Sequence, residues 1–134
     1  MPGIVCSSLR IQPGQKVAVK GDIQSGCEGF VINLGKDQDN LALHFNARFN
    51  AHGDVRTIVC NSRNKGQWGK ELRETNFPFQ EGETVEVVFT NDKKEVNITL
   101  PGGHQFKFPN ETGLETIEFI CTEGGLNFRS LSLV

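Results

Sequence analysis

Three hydrogen-bonding side chains alternate with apolar ones in residues 41–50, LALHFNARFN. His44, Asn46 and Arg48 fall between apolar neighbours, and a period of two is typical of a strand with one buried and one open face. Along such a strand the three side chains are spaced by about 6.5–7 Å. The pattern therefore predicts a row of polar groups on one face of one strand.

The chemistry of this row suits a partner that carries hydroxyl groups. A neutral imidazole accepts a hydrogen bond, an amide both donates and accepts, and a guanidinium is a fork of donors. Sugar hydroxyls donate and accept, whereas a phosphate calls for donors alone. Each of the three residues taken singly is also typical of the solvated face of a half-buried strand.

A second polar cluster follows downstream at Asn61 and residues 68–73. Glu71 would add a strong acceptor and Arg73 a second fork, while Trp68 offers a flat apolar plate. A lone Trp is more often a core residue. If the segment is extended, Glu71 and Arg73 share one face and Trp68 lies on the other, so we expect a bulge or an unusual dihedral at Gly69 to bring them together.

The elements around these clusters are predicted to be strands. No segment holds a helical period for three turns, and fifteen Gly and ten Phe accompany many short Val, Ile and Leu runs. About ten or eleven short strands without crossover helices indicate an all-β fold, a two-sheet antiparallel sandwich of the jelly-roll kind. The length of 134 residues favours a single domain, residues 1–134.

Turn signals set the expected limits of individual elements. Residues 4–11 are predicted as a terminal strand, the next strand is expected to stop at Gly21, and residues 35–40 are expected to form a polar loop. Residues 85–100 are predicted as a hairpin. The apolar parity shifts between Phe128 and Leu131, which predicts a bulge in the last strand.

Composition excludes several classes of function. The formal charge is −2 and the 14 Lys and Arg residues are scattered, which disfavours nucleic acid and anionic lipid. No apolar run approaches the ~18 residues of a membrane span, and the amino terminus lacks a hydrophobic signal core, so synthesis in the cytosol is expected. The cysteines have no metal-binding spacing, and the expected cytosolic synthesis favours free thiols, while their even number leaves a disulfide pair as the alternative: Cys6, Cys27, Cys60 and Cys121.

The two clusters together resemble the carbohydrate-recognition signature of the galectins. Framework segments in residues 33–37, 57–62, 77–80 and 106–110 are similar to those of the single-domain, homodimer-forming galectins, so the resemblance covers essentially the whole chain. The signature is carried by His44-x-Asn46-x-Arg48, residues 50–54 (NAHGD), Asn61 and Trp68-Gly69-x-Glu71-x-Arg73.

The resemblance implies a galectin-like β-sandwich lectin that binds β-galactosides of the lactose or N-acetyllactosamine type, with no metal or other cofactor. The row on residues 44–48 would bond the axial 4-hydroxyl of galactose, Asn61 and Glu71 would hold the 6-hydroxyl, and Trp68 would stack on the ring. Arg48, Glu71 and Arg73 would reach the 3-hydroxyl of the adjoining sugar. The implied carbohydrate-binding residues are His44, Asn46, Arg48, His52, Asp54, Asn61, Trp68, Glu71 and Arg73, with His52 and Asp54 beside the site and Asp54 orienting Arg48.

This assignment carries an expected pH dependence. An imidazolium at His44 cannot accept from a hydroxyl, and an ordinary histidine titrates near 6.5. Sugar affinity is therefore expected to fall as the pH drops through about 6.

The resemblance also implies partners and a location. The partners are β-galactoside-bearing glycans and glycoproteins, and a second copy of the chain would make a bivalent dimer that cross-links them. The expected location is cytoplasmic and extracellular, with export that bypasses a signal peptide and without membrane insertion. The expected dimer interface is formed by apolar residues at both termini: Ile4, Val5, Leu131, Leu133 and Val134.

Two other chemistries remain open at this point. A jelly-roll glycosidase would need two carboxyl groups flanking the scissile bond, and Glu71 and Asp54 are the candidates. The neighbouring arginines would make Glu71 a poor proton donor. A metal site would have to combine His44, His52 and His104, for which no carboxylate or Cys has a matching spacing.

Overall fold

The computed structural model describes residues 2–134 of the chain, with the side chain of Pro2 left aside. The described residues form twelve strands and no helix. Consistent with that, no helix in this part of the chain is long and apolar enough to cross a membrane. The strands are β1 Pro2–Cys6, β2 Lys16–Ile23, β3 Gly29–Asp37, β4 Asn40–Ala51, β5 Asp54–Asn64, β6 Gln67–Trp68, β7 Leu72–Glu74, β8 Thr84–Asp92, β9 Glu95–Thr99, β10 Gln105–Pro109, β11 Phe119–Gly124 and β12 Leu126–Leu133.

The strands pair into two antiparallel sheets. One has the order β1-β11-β3-β4-β5-β6, with β7 also pairing with β5, and the other has the order β10-β9-β8-β2-β12. The predicted all-β two-sheet sandwich is confirmed. The described residues form more strands than the ten or eleven predicted, because residues 68–73 are divided between the short strands β6 and β7.

An aromatic cluster fills the space between the sheets. Phe45 on β4 is fully buried, and its ring centroid lies 5.7 Å from that of Phe89 on β8 in the opposite sheet. Phe79 packs edge-on against Phe45 and Phe30, with centroid separations of 6.3 and 5.2 Å. Such edge contacts hold the two sheets at a fixed separation.

Several expected boundaries are wrong, and two glycines explain part of the difference. β2 does not stop at Gly21 but runs on to Ile23. At Gly21 the strand passes close to β12, since a Cβ there would lie 2.8 Å from the Asn127 carbonyl oxygen. This glycine serves a close approach between strands and not a turn. Likewise residues 35–40 are not a loop, since β3 continues to Asp37 and only Gln38 and Asp39 separate it from β4. Gly35 lies inside β3, where a Cβ would overlap the Asn40 carbonyl oxygen.

The terminal strand is also shorter than expected. β1 ends at Cys6, and Ser8 adopts a left-handed φ of 59° that turns the chain. Only an isolated bridge from Ile11 to Ile117 restores pairing. The β8–β9 hairpin and the bulge in β12, between Phe128 and Ser130, are both present as predicted.

Removing the central phenylalanine should destabilise the sandwich strongly. We expect Phe45→Ala to lower the free energy of unfolding by about 3–5 kcal/mol, because it deletes a buried ring that contacts both sheets. Urea unfolding followed by tryptophan fluorescence measures this. Val55→Ala on β5 is the control, since Val55 is 64% exposed and should change stability by less than about 0.5 kcal/mol. A loss below about 1 kcal/mol for Phe45→Ala would contradict this account of the core.

Candidate carbohydrate-binding site

The central strand β4 presents the predicted polar row on the outer face of its sheet. Leu43, Phe45 and Ala47 point into the core with no exposed surface, whereas the residues between them are half-buried. The alternation in the sequence is therefore the alternation in the structure. His44, Asn46 and Arg48 stand in a line on one side of one strand, as predicted.

The neighbouring strand β5 adds Asn61 directly beside this row. Asn61 pairs with His44 in the β4–β5 ladder and is only 6% exposed. Its side-chain oxygen accepts the Ser62 amide N–H at 2.8 Å, which fixes the orientation of the amide group. Its NH₂ donors therefore remain for other partners.

The segment from Trp68 to Arg73 bends as the site requires, but for a different reason from the one expected. β6 ends at Trp68, residues 69–71 leave the strand conformation, and β7 resumes the pairing with β5. Gly69 has no left-handed φ. It is required for close approach, because its N–H donates to the Ser62 carbonyl at 3.0 Å and a Cβ there would lie 2.6 Å from Ser62 Oγ.

The single tryptophan lies outside the core. Trp68 is 51% exposed, which excludes the alternative of a core residue. The ring centroids of His44 and Trp68 lie 4.7 Å apart at an angle of 61°, and the Arg63 guanidinium lies 5.0 Å from the indole centroid. The indole is thus held in place on the outer face of the sheet, beside the polar row.

A chain of charged hydrogen bonds runs along one side of the site. Asp54 accepts from Arg48 at 2.6 Å and from Arg73 at 3.3 Å, and Arg73 also donates to Glu71 at 2.8 Å. Arg48 Nε donates to the Asn46 side-chain oxygen at 2.7 Å. Arg48 is therefore fixed at two of its donors by its own neighbours before any ligand binds.

These contacts bear on the ionisation of Asp54. The hydrogen bonds from Arg73 and Arg48 hold the pKa of the Asp54 carboxyl below its usual range. Asp54 is therefore ionised at neutral pH and does not supply the proton that a glycosidase needs.

His44 lies in an environment that opposes its charged form. Burial first, and then the positive charges of Arg48 and Arg63, lower the pKa of His44 from 6.5 to about 4. The prediction that sugar affinity falls as the pH drops through about 6 is therefore wrong, because His44 becomes protonated only at a lower pH. The sequence shows that a histidine is present but not how dry its surroundings are.

An open cavity of about 540 Å³ lies over β4, β5 and the bend after β6. A second cavity of about 330 Å³ adjoins it and shares His44 and Arg48. Of the nine candidate residues, His44, Arg48, Asn61, Trp68 and Glu71 line the first cavity, Asn46 and His52 line the second, and Asp54 and Arg73 are bonded to residues that line them.

The structure adds three residues that the sequence argument did not include. Asn33 on β3 contacts His44, Glu123 on β11 contacts Asn33, and Arg63 on β5 lies over Trp68. The one available signal was that Asn33 interrupts an otherwise apolar run, residues 30–34. Glu123 is separated from Asn33 by 90 positions and carried no local signal.

The three histidines do not meet at one site, because His44 and His52 line the second cavity whereas His104 does not. His104 lies 3.3 Å from Glu74, and His52 lies in the turn between β4 and β5 with a left-handed φ of 51°. Among residues 2–134, no group of three or more His, Cys, Asp and Glu side chains is arranged to hold a metal ion. The four cysteines are free thiols, two of them buried.

An exposed apolar patch lies where the chain termini meet. β1 and β12 are edge strands of different sheets, and they contact one another. Val5, Leu133 and Val134 are 57%, 60% and 75% exposed, so they are not part of the core. Ile4 and Leu131 are half-buried beside them. Leu131 also packs against the core. The predicted interface residues thus lie on or next to two edge strands that contact each other, and three of the five are largely exposed.

Comparisons with known proteins agree with this geometry. The family model described as galactoside-binding lectin matches residues 3–133. Galectin-1 of Mus musculus is 48% identical over 130 residues, which cover 97% of this chain and 96% of that protein. A homodimeric agglutinin from chicken liver superposes with a TM-score of 0.94 at 45% identity, over 98% of this chain and 99% of that one.

A galectin from toad ovary, solved in complex with thio-digalactose, superposes with a TM-score of 0.95 at 44% identity, over 100% of this chain and 99% of that one. The family model, the sequence relatives and the solved structures therefore agree, and the chain belongs to the galactoside-binding lectins, the galectins.

Proposed function

We propose that this chain binds lactose and N-acetyllactosamine-type glycans in the cavity over β4, β5 and the bend after β6, and that two copies cross-link such glycans. The observation that carries the proposal is a half-exposed Trp68 next to the row of His44, Asn46 and Arg48. A flat apolar plate beside a line of donors and acceptors matches a sugar ring, which has one C–H face and a rim of hydroxyls.

The polar row would recognise the axial 4-hydroxyl of galactose. Arg48 is a donor fixed by Asp54 and Asn46, and a neutral His44 supplies an acceptor. An equatorial 4-hydroxyl, as in glucose, would leave these partly buried groups without partners, and unpaired buried groups cost about 1–3 kcal/mol each. Selection of galactose over glucose follows from this geometry.

The remaining candidate residues would extend the contact to the second sugar. Asn61 and Glu71 line the cavity beside Trp68 and would hold the 6-hydroxyl of galactose. Arg73 is bonded to Glu71 and Asp54 at the same edge, so Arg48, Glu71 and Arg73 would meet the 3-hydroxyl of glucose or N-acetylglucosamine. His52, beside Arg48, would extend the site.

Binding without turnover is the expected chemistry. An ionised Asp54 is a poor proton donor, and both Asp54 and Glu71 are already bonded to Arg73. Incubation with a chromogenic β-galactoside should therefore release no product. Turnover that Glu71→Gln abolishes would establish the glycosidase instead.

A bivalent dimer would compensate for the modest affinity of one shallow site. The apolar patch of Ile4, Val5, Leu131, Leu133 and Val134 on two adjoining edge strands supports a two-fold partner, and the chicken liver relative is homodimeric. The proposed partners are galactoside-bearing glycoproteins. A location both in the cytoplasm and outside the cell stays a prediction from the family.

The function itself is tested by titrating the protein with lactose and with maltose in a calorimeter. We expect lactose to bind and maltose to bind far more weakly, because maltose offers no galactose. Trp68→Ala should weaken lactose binding roughly 30-fold, since losing about 80 Å² of apolar contact at 25 cal/mol per Å² costs about 2 kcal/mol. The control Val55→Ala removes another exposed apolar side chain outside the cavity and should bind as before. Equal binding of both sugars would refute the proposal.

The pH dependence of binding follows from the pKa of His44. Because that pKa is lowered to about 4, the imidazole stays neutral and able to accept down to that value. Lactose affinity should therefore be constant from pH 7 to about 5 and fall as the pH passes below about 4. The control His104→Gln changes a histidine that lines neither cavity and should leave this profile unchanged. A midpoint near 6.5 would show that His44 is exposed when the sugar is absent.

Charge placed in the apolar patch should separate binding from cross-linking. We expect Val5→Asp combined with Leu133→Asp to halve the mass seen by light scattering and to abolish agglutination of galactoside-coated beads, because two carboxylates would be buried in the interface. Lactose affinity per chain should remain unchanged. Val55→Asp places one carboxylate at an exposed valine outside the patch and should leave the mass unaffected. An unaltered mass in the double variant would exclude this interface.

A further inference from the structure

Behind the polar row, the buried amide of Asn33 connects His44 to a carboxylate. Asn33 on β3 is 1% exposed and pairs with His44 on β4 on one side and with Cys121 on β11 on the other. His44 Nδ1 lies 2.7 Å from Asn33 Oδ1, and Asn33 Nδ2 donates to Glu123 Oε2 at 2.8 Å. Three side chains from three adjacent strands thus form one line of hydrogen bonds.

The carboxylate determines the direction of every bond in this line. An ionised carboxylate only accepts, so it must face the NH₂ end of the Asn33 amide. Cys121 Sγ, a weak acceptor at 3.3 Å from Asn33 Nδ2, favours the same orientation. The amide oxygen then faces His44, and because that oxygen only accepts, the His44 Nδ1 must carry the hydrogen. The remaining ring nitrogen, Nε2, is left with its lone pair.

We propose that Glu123 and Asn33 are positioning residues that fix His44 as the Nδ1–H tautomer, so that Nε2 accepts a hydrogen bond from the galactose 4-hydroxyl. The proposal rests on the proposed function, since it assigns a role within the same sugar site. Glu123 acts through Asn33 and does not touch the sugar ring in this assignment.

The need for an acceptor comes from the other groups around the hydroxyl. Arg48 offers only donors, and the Asn46 side-chain oxygen already accepts from Arg48 Nε. A hydroxyl that receives a hydrogen bond from Arg48 still has its own proton to place. If His44 carried its hydrogen on Nε2, the proton of the sugar hydroxyl would face a second donor and would have no acceptor. The tautomer therefore decides whether the axial hydroxyl is fully bonded.

The surroundings of His44 preserve this arrangement. The charged groups that face the ring or its bonded partners are Arg48 on its own strand, Arg63 on β5 and Glu123 on β11, while Trp68 packs edge-on against it. Burial and then the two arginines disfavour protonation, so the ring stays neutral and the choice of tautomer is left to Asn33. A neutral imidazole without such a partner would exchange between both tautomers.

Two substitutions at the half-exposed Glu123 distinguish the effect of its hydrogen bond to Asn33 from the effect of its negative charge. Glu123→Gln keeps an amide oxygen that can accept from Asn33 Nδ2, so the line of bonds persists without the carboxylate charge. Glu123→Met has a similar length and no strong acceptor, so the Asn33 amide is free to rotate. Both proteins are checked for folding by urea unfolding before use.

The first measurement is the ¹⁵N NMR spectrum of the imidazole nitrogens in the unmodified protein. We expect a protonated Nδ1 and an unprotonated Nε2 for His44 at neutral pH, and the same spectrum in Glu123→Gln. Glu123→Met should show a mixture of tautomers. A protonated Nε2 or a mixture in the unmodified protein would overturn the proposal whatever the variants do.

The second measurement compares lactose with 4′-deoxylactose, which lacks the hydroxyl in question. Unmodified protein and Glu123→Gln should prefer lactose, and Glu123→Met should reduce that preference by about tenfold, the effect of one unpaired group. A full preference in Glu123→Met would refute the role of Glu123. If the unmodified protein fails to bind lactose, the proposed function fails, whereas lactose binding with the wrong tautomer refutes only this inference.

Discussion

The alternation of side chains along β4 is the constraint on which both halves of the molecule depend. Leu43, Phe45 and Ala47 face the core with no exposure, and the residues between them form the outer polar row. Because neighbouring side chains point to opposite faces, the packing of Phe45 between the sheets also fixes where His44 and Asn46 stand. A slip of one residue in the pairing would bury the polar row and expose the core. The stability of the fold and the geometry of the site are therefore maintained by the same contacts.

The outer face is preorganised, because its polar groups are bonded to one another before a ligand arrives. Arg48 is held by Asn46 and Asp54, and Asn61 by the Ser62 backbone. Binding then costs little side-chain entropy at these positions, and each donor keeps the orientation that a hydroxyl requires. The indole of Trp68 is held in the same way by His44 and Arg63. A shallow and open groove can be selective because its groups do not rearrange.

Much of this could be predicted from the sequence, since period-two alternation and turn residues are local signals. The polar row, the β8–β9 hairpin and the bulge in β12 all follow from spacing. Gly21 and Gly35 were wrong signals for the end of a strand, because glycine occurs both in turns and where two strands approach closely. Only the position of the neighbouring strand distinguishes these two cases. The convergence of Trp68 with Glu71 depends on how β6 and β7 pair with β5, and the approach of Asn33 to Glu123 depends on sheet order. These contacts cannot be predicted from a local sequence pattern, because long-range strand pairing produces them. The lowered pKa of His44 cannot be predicted either, because it depends on burial in the folded chain.

The charges at the site decide what kind of ligand it suits. Arg48 and Arg73 contribute two positive charges, and Asp54 and Glu71 contribute two negative ones within the same chain of contacts. The local sum is near zero, so the groove attracts neither anions nor cations over distance. A phosphate placed against the arginines would also meet the carboxylates and would displace existing ion pairs. A neutral polyhydroxyl ligand avoids that cost, because its hydroxyls can donate to Glu71 and accept from Arg48 without breaking the bonds that hold them. The balance of charge, as much as the shape of the cavity, therefore favours a sugar over a charged metabolite.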